Sequence, residues 1–206
     1  RQMCIRDRQT GQVDVLFRNT TWTTTRDGDL GIDFGPTTFY DGQGLMVKAD
    51  LGVSSINELD GASICVLTGT TTALNITETM ENLGFTYELV PFEESSQTAA
   101  AFEEGRCDVL TSDLSQLAGL RSNLADPGSA VILADVISKE PLGPAYLEND
   151  SVWGDVVNWA VFATMTAEEF GITSENIDEY LASEDTAIQR FLGIGDNASG
   201  SLIGLD

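Results

Sequence analysis

The stretch GASICVLTGTTT, residues 61–72, decides the fold class of this chain. An apolar run ends at Leu67, a glycine and hydroxyl side chains follow, and an amphipathic stretch then covers residues 72–83 before another glycine. A buried strand, a polar turn and a helix in this order form the repeating unit of an α/β fold. The same alternation continues on both sides, so the sequence predicts one compact α/β lobe over residues 45–137.

Two further stretches predict strands that end in polar loops. Cys107–Asp113, with the sequence CDVLTSD, is apolar up to its hydroxyls and final carboxylate. Val13–Arg26, VDVLFRNTTWTTTR, predicts a strand over residues 12–17 and continues with five threonines, a tryptophan and an arginine. Ligands of open α/β sheets bind at the carboxyl ends of strands. A cation, a helix N-terminus and an anion at three such ends predict a site complementary to a zwitterion.

The composition excludes several classes of partner. With 33 Asp and Glu against 10 Lys and Arg, the formal net charge is -23, and the acidic residues are spread along the chain. Nucleic-acid binding requires clustered basic residues, so no nucleic-acid partner is expected. No apolar run approaches the roughly 20 residues of a membrane span. The chain has no histidine and no C-x2-C spacing, so we expect neither a metal site nor a cofactor.

An ordered set of motifs resembles one family of binding proteins. The motifs are VDVLFRNTTWT, DFGPTTFYDGQGLMV, TGTTT, GRCDVLTSD and ISKEPLGP, and they are followed by FLGIGDN near the C-terminus. They resemble the periplasmic amino-acid-binding proteins that supply ABC importers, in particular the general L-amino-acid-binding branch of solute-binding protein family 3. The resemblance implies an α/β, type II periplasmic-binding-protein fold, in which a two-strand hinge joins two lobes.

The resemblance also implies a division of the chain. The expected boundaries are residues 9–40 plus 143–206 for lobe 1, 41–44 and 138–142 for the hinge, and 45–137 for lobe 2. The family places a signal peptide and two β-α units ahead of the strand at Val13, so we expect a fragment with an incomplete lobe 1. Residues 1–8, RQMCIRDR, contain three of the ten basic residues without any helical or strand period, and we interpret them as a non-native segment.

The resemblance implies seven ligand-binding residues: Asn19, Thr20, Thr21, Arg26, Thr70, Thr71 and Asp113. Arg26 would hold the α-carboxylate of an L-amino acid, together with Thr21 of the same loop. The helix N-terminus at Thr70 and Thr71 would also meet the carboxylate, and Asp113 would accept the α-ammonium. Asn19 and Thr20 would complete the contacts of lobe 1. Since the two sets lie on different lobes, a bound ligand would favour the closed form, which the membrane permease recognises.

Structural alternatives remain open for several of these residues. Asp113 is also placed to cap the helix predicted from Ser115, and Thr70 and Thr71 are also a plain N-cap. Arg18 pairs either with an acidic ligand side chain or, as we favour, with surface carboxylates.

The tryptophans are predicted to pack rather than to bind. We expect Trp22 to lie under its loop. The helix predicted over residues 153–166 is apolar on most faces, so we expect it to pack into a core together with Trp153 and Trp159.

Two of the three cysteines lie in the predicted lobe 2. Cys65 lies within one predicted strand, and Cys107 lies at the start of another. If these strands are neighbours, the oxidising periplasm permits a disulfide between them, which we predict; the alternative is two small buried thiols. Cys4 lies in the segment interpreted as non-native.

The leading functional hypothesis is a periplasmic, monomeric binding protein without catalytic activity, whose partners are an L-amino acid and the permease. One alternative is an enzyme on the same scaffold, such as a cyclohexadienyl dehydratase-like protein, which requires a general acid or base. Without histidine, no residue is clearly placed for that role. The other alternative is the extracellular sensor domain of a membrane receptor. The sequence does not identify the amino acid, because the side-chain pocket is partly outside this chain.

Overall fold

The computed structural model describes residues 10–195 and 200–205. The chain divides into two compact units. The central unit is Phe39–Leu142, and the split unit comprises the described residues of 10–38 and 143–205. The segment 1–8 with Cys4, interpreted above as non-native, lies outside the described residues.

The described elements are mostly short. In chain order, the strands are β1 (Ile32–Phe34), β2 (Phe39–Asp41), β3 (Gln43–Lys48), β4 (Ser63–Leu67), β5 (Glu88–Phe92), β6 (Val109–Asp113), β7 (Ala130–Ile132), β8 (Glu140–Leu142) and β9 (Ala145–Leu147). The α-helices are α1 (Thr24–Asp29), α2 (Thr71–Leu83), α3 (Ser95–Glu103), α4 (Leu114–Ser122), α5 (Ser151–Phe170), α6 (Ile177–Tyr180) and α7 (Thr186–Phe191).

The central unit is built on one five-stranded sheet. Its strand order is β5-β4-β6-β3-β7, in which β5, β4 and β6 run parallel while β3 runs antiparallel to β6 and β7. The parallel strands follow one another as β4-α2-β5-α3-β6, because a parallel connection requires a crossover that a helix supplies. The predicted α/β character of residues 45–137 is therefore confirmed.

Both faces of this sheet are buried. Successive residues of β3 alternate between two core clusters, since Leu45 and Val47 belong to one and Met46 belongs to the other. The α2 helix supplies two buried residues, Ile76 and Met80, to the first cluster, whereas α3 and α4 cover the second. This period of two within a strand fixes which residues face each helix layer.

The predicted disulfide is present. Cys65 in β4 is bonded to Cys107, which lies two residues before β6, with a Cα–Cα distance of 5.7 Å. The strands β4 and β6 are neighbours, and both cysteines are buried in the second core cluster. The bridge therefore links β4 to the segment just before β6, through two cysteines that are 42 residues apart in the sequence.

Helix ends in the central unit follow local signals. The helix predicted over 72–83 is α2, which begins one residue earlier, at Thr71. The Thr70 hydroxyl accepts a hydrogen bond from the backbone N–H of Ala73 at 3.3 Å, and Gly84 ends the helix with φ 71°. A glycine adopts this left-handed conformation without the steric penalty of a Cβ atom.

The split unit contains a smaller sheet, and one prediction for it is wrong. Strands β1 and β9 pair antiparallel. The predicted strand over residues 12–17 is reduced to a single bridge, in which Leu16 and Ala145 exchange backbone hydrogen bonds of 2.8 and 2.9 Å. Leu16, Ile32, Phe34 and Ala145 form one small apolar cluster. Within residues 12–17, Leu16 is buried whereas Phe17 is 60% exposed, so the apolar run does not form the predicted buried strand.

The sequence predicts short helices over residues 53–59 and 174–183, and both are shorter in the structure. Residues 53–59 form only a 3-10 turn, Ile56–Glu58. The helix predicted over 174–183 is reduced to the single turn of α6. Isolated short helices are marginal, because a first turn fixes three residues for one hydrogen bond.

Helix α5 is much less buried than its composition predicts. Its buried residues are Gly154, Val157 and Val161, whereas Trp159 is 57% exposed and Phe162 is 42% exposed. The expectation that Trp159 lies in the core is wrong, because the described part of the split unit covers only one side of this helix. Trp153 is half-buried, and its indole N–H donates to the backbone oxygen of Asp14 at 2.9 Å. Among the described residues, no helix is long and apolar enough to cross a membrane.

Strands β2 and β8 carry the chain into and out of the central unit. They pair antiparallel, with Phe39 opposite Leu142 and Asp41 opposite Glu140. Gln43 and Gly44, which the sequence assigned to the hinge, are instead the first residues of β3 and pair with β6.

Candidate functional site

The first group of candidate residues lies in one loop and helix of the split unit. Thr20 and Thr21 are buried, whereas Asn19 is exposed. Arg26 lies in α1, which Thr23 caps by accepting a hydrogen bond from the Arg26 backbone N–H at 3.2 Å. The Arg26 guanidinium Nη1 donates to the backbone oxygen of Thr21 at 2.7 Å. The loop carbonyl therefore fixes the direction of the guanidinium.

Trp22 extends from the same loop and packs against the split unit. Its ring stacks on Phe34 with the centroids 5.5 Å apart and the planes 12° apart. Phe34 is buried in β1, while Trp22 keeps 40% of its surface exposed. This stack supports the packing role expected for Trp22, because aromatic pairs gain about 0.5–1.5 kcal/mol beyond their burial.

The second group begins at the N-terminus of α2 in the central unit. The Thr70 hydroxyl donates to the backbone oxygen of Leu67 at 2.6 Å and lies 2.7 Å from the Thr72 hydroxyl. Together with the cap on Ala73, these bonds establish the structural role of Thr70. Thr71 is the first residue of this 13-residue helix, whose N-terminus has a partial positive charge that favours an anion. The capping role and a ligand role are compatible.

Asp113 lies at the end of β6 and is 5% exposed. It occupies the position that precedes α4, yet its side chain makes no capping hydrogen bond to that helix. The alternative that Asp113 serves as a side-chain cap is therefore not observed. Asp113 is the last residue of β6, and the Thr70 turn follows β4. Because β4 and β6 are parallel neighbours, both lie at the same edge of the sheet, where the carboxyl ends of the strands meet.

The seven predicted residues thus fall into two sets. Asn19, Thr20, Thr21 and Arg26 lie within eight consecutive positions of the split unit. Thr70, Thr71 and Asp113 lie at one sheet edge of the central unit. No cluster of metal-ligating side chains occurs among the residues that the structure describes.

Sequence reasoning missed two buried polar residues beside the second set. Gln43 is 0% exposed and Glu140 is 2% exposed, although both lie in segments that the sequence assigned to the hinge. A carboxylate between a lysine and a proline, as in KEPLG, usually indicates a surface position. Their burial depends on partners 29 to 69 residues away, which no local pattern reveals.

Comparison with known proteins identifies clear relatives. No family model matches the chain. The general L-amino acid-binding periplasmic protein AapJ of Rhizobium johnstonii is 50% identical over 185 residues, which cover 90% of this chain and 54% of that protein. The glutamate/glutamine/aspartate/asparagine-binding protein BztA of Rhodobacter capsulatus is 47% identical over 197 residues, which cover 95% of this chain and 58% of that protein. The chain spans just over half the length of these relatives.

A solved structure is also similar to this chain. It is described as an ABC transporter/periplasmic binding protein from Brucella ovis with glutathione bound, and it matches with a TM-score of 0.92 and 45% identity. The match covers 98% of this chain and 64% of that structure. The predicted type II fold class is therefore confirmed.

Proposed function

Because this chain belongs to the family of periplasmic amino-acid-binding proteins of ABC transporters, we propose that it is part of the solute-binding component of an amino-acid importer. In this proposal, the protein captures L-amino acids in the periplasm as a monomer and delivers them to a membrane permease. It performs no chemistry and requires no cofactor. The observation that supports the proposal most is 50% identity over 90% of this chain to a general L-amino acid-binding periplasmic protein.

In the proposed site, Arg26 binds the α-carboxylate of the ligand. A guanidinium presents parallel N–H donors that match the two oxygens of a carboxylate. The bond from Nη1 to the Thr21 oxygen supports this role, because it holds the side chain in one direction before a ligand arrives. Thr21, Thr20 and Asn19 supply the neighbouring polar groups in the proposal.

The central unit contributes the complementary charges. The N-terminus of α2 at Thr70 and Thr71 offers backbone N–H groups to the carboxylate. Asp113 accepts the α-ammonium; its burial at the carboxyl end of β6 supports this role.

A ligand that contacts both sets of residues would stabilise a closed form. The proposed lobe 1 is 9–40 plus 143–206, lobe 2 is 45–137, and the hinge is 41–44 and 138–142. The free energy by which the ligand shifts the open–closed equilibrium equals the difference between its binding free energies for the two forms. In this proposal, the permease binds the closed form.

The test is a ligand screen on the full-length protein. Each of the common L-amino acids is added while thermal unfolding is followed, and ligands that raise Tm are then measured by calorimetry. A ligand at a hundredfold excess over Kd stabilises the native state by about 2.7 kcal/mol. Matched analogues without the α-ammonium or without the α-carboxylate should raise Tm much less. If no amino acid raises Tm, the proposed function is wrong.

Glutathione belongs in the same screen. The similar structure from Brucella ovis contains it, and the glutamyl end of glutathione has both a free α-ammonium and a free α-carboxylate. We propose that the same clamp accepts this end. Binding of glutathione that disappears in Asp113→Asn would support a shared site, whereas unchanged binding in this variant would exclude one.

A further inference from the structure

A buried carboxylate fastens β8 to the first turns of α2. Oε1 of Glu140 accepts a hydrogen bond from the Asn75 side-chain amide at 2.9 Å and another from the Ser138 hydroxyl. Its Oε2 accepts a hydrogen bond from the Thr71 hydroxyl at 3.3 Å. Glu140 is 2% exposed, and β8 is the last strand of the central unit. The segment that leaves this unit is thus bonded to the helix N-terminus of the candidate site.

Strand β3, which follows β2 in the chain, joins the same network. Gln43, the first residue of β3, is fully buried and donates to the Thr72 backbone oxygen at 2.9 Å and to the Thr111 hydroxyl at 2.8 Å. Its side-chain oxygen accepts a hydrogen bond from Asn75 at 3.0 Å. Asn75 therefore donates both to Gln43, which follows β2, and to Glu140 in β8. These are the two strands that carry the chain into and out of the central unit.

A carboxylate at this position joins groups that an apolar residue could not join. Removing an ionised group from water costs several kcal/mol, which hydrogen bonds only partly offset. A leucine at position 140 could not accept from Thr71, Asn75 and Ser138, so the carboxylate is the group that connects β8 to α2.

We propose that Glu140 is a positioning residue of the binding site, which sets the α2 N-terminus relative to β8. This inference rests on the proposed function. Displacement of β8 would move the first turn of α2, because Glu140 bonds to both Thr71 and Asn75 of this helix. The affinity of the site for a carboxylate then depends on Glu140, although Glu140 itself does not contact the ligand.

The bond from Thr71 also assigns the role of its hydroxyl. A threonine hydroxyl has one proton, and Thr71 donates this proton to Oε2 of Glu140. The hydroxyl thus presents only lone pairs to any other partner. A ligand carboxylate at this helix end is therefore bound by backbone N–H groups rather than by the Thr71 hydroxyl.

The test compares Glu140→Leu and Glu140→Gln in the full-length protein. The probes are L-glutamate and L-glutamine, with affinity measured by calorimetry and stability by urea unfolding. Glu140→Leu should lose stability, because Thr71, Asn75 and Ser138 lose their acceptor, and it should bind roughly tenfold more weakly, as expected when charged hydrogen bonds are lost. Glu140→Gln should restore most of the affinity, because its amide oxygen can accept from Asn75 and its NH2 group can donate to the Thr71 hydroxyl.

Asp108→Ala is the matched control. Oδ2 of Asp108 accepts hydrogen bonds from the Ser63 backbone N–H at 2.9 Å and from its hydroxyl at 2.6 Å, at the opposite ends of β4 and β6. This variant should lose stability while its affinity stays within about threefold of wild type, a change well below 1 kcal/mol. It separates a general loss of stability from a local change at the site.

The outcomes distinguish the two proposals. If wild type binds but Glu140→Leu binds within about threefold of it, Glu140 has no positioning role. If wild type binds neither probe and no other amino acid, the proposed function fails and this inference fails with it. Should Glu140→Leu not fold, Asn75→Ala decides, because it removes the shared donor; unchanged affinity in that variant would overturn the inference.

Discussion

Asp113 illustrates how hydrogen bonding separates two roles of one side chain. The sequence left open whether it caps α4 or binds a ligand. In the structure the side chain is buried and makes no capping bond to α4. The sequence shows that a carboxylate stands at the end of a predicted strand. Whether this side chain caps α4 depends on the geometry of the folded backbone.

The first prediction concerns Asp113→Asn. The asparagine keeps the shape and removes the charge, so the affinity for α-amino acids should fall roughly tenfold or more, because a neutral amide cannot offset a buried ammonium. Calorimetry on the full-length protein measures this change. Asparagine is as good a helix cap as aspartate. Unchanged affinity would therefore show that Asp113 has no ligand role.

The second prediction concerns Arg26→Ala. Losing one partner of a buried charge pair costs about 2–5 kcal/mol, so amino-acid affinity should fall strongly. Arg106→Ala is the matched control, since it removes an exposed arginine that lies over the Phe92 ring of the central unit. A change of less than about threefold for Arg26→Ala in calorimetry would contradict the assignment.

At the residue scale, local chemistry was predictable and long-range burial was not. The threonine cap of α2 and the stop at Gly84 follow from neighbouring residues, and the structure contains both. Glu140 was missed because its burial comes from α2, which is distant in the sequence. The sequence predicts that Trp159 lies in the core, because an apolar side chain prefers burial. The sequence does not show which neighbours cover this side chain.

The order of elements in the central unit was predictable because each helix there has a terminating glycine or a polar turn. The sequence predicts one helix over residues 96–104, which ends before Gly105, and another over residues 115–122, and the structure places α3 and α4 within one residue of these limits. Strand pairing was different. The neighbours β4 and β6 are separated by β5 in sequence, and only the tertiary structure shows that they are adjacent.

The third prediction concerns the bridge between these strands. Replacing both Cys65 and Cys107 by alanine should lower the free energy of unfolding by about 2–4 kcal/mol, since the bridge restricts the unfolded chain. Urea unfolding measures the loss, and a reductant should destabilise wild type but not the double variant. Mass mapping without reductant should find the two residues linked. Two thiols that can be alkylated would contradict the bridge.

The fourth prediction concerns Tyr146 of β9. Burial raises the pKa of Tyr146, and the negative charge of Asp33, its partner across the β1–β9 ladder, raises this pKa further. Above the ordinary tyrosine pKa of about 10, the unfolded chain loses this proton before the native state does. Stability from the neutral hydroxyl is therefore present below about pH 10 and is lost as the pH rises beyond it.

The corresponding experiment is urea unfolding of wild type and Tyr146→Phe between about pH 8 and pH 11, the range around the tyrosine pKa. The variant should lose less stability over this range than wild type. Tyr40→Phe is the matched control, because Tyr40 is 81% exposed. Equal pH dependence in wild type and Tyr146→Phe would contradict the prediction.

At the scale of the whole molecule, the acidic composition dominates. A net charge of -23 on 206 residues opposes the compact state through self-repulsion. This property was fully readable from the sequence, because it requires only a count. The distribution of the charges over the folded surface required the structure.

The fifth prediction follows from this charge. Raising the salt concentration from about 0.05 M to about 0.5 M should increase the free energy of unfolding, because screening weakens the repulsion. Urea midpoints in NaCl measure the change. KCl is the control, since pure screening does not depend on the cation. A stability that falls with salt, or that rises in only one of the two salts, would contradict repulsion as the cause.

Because Phe39 lies opposite Leu142 in the ladder between β2 and β8, the central unit begins and ends at the same place. Topologically it is a cassette inserted into the split unit, with its entire five-stranded sheet and its disulfide encoded in one uninterrupted segment. Such a segment can be exchanged between related genes without altering any strand pairing outside it. We therefore expect that recombination at positions 38 and 143 transfers Thr70, Thr71 and Asp113 together as a single heritable block, while Arg26 stays with the host gene.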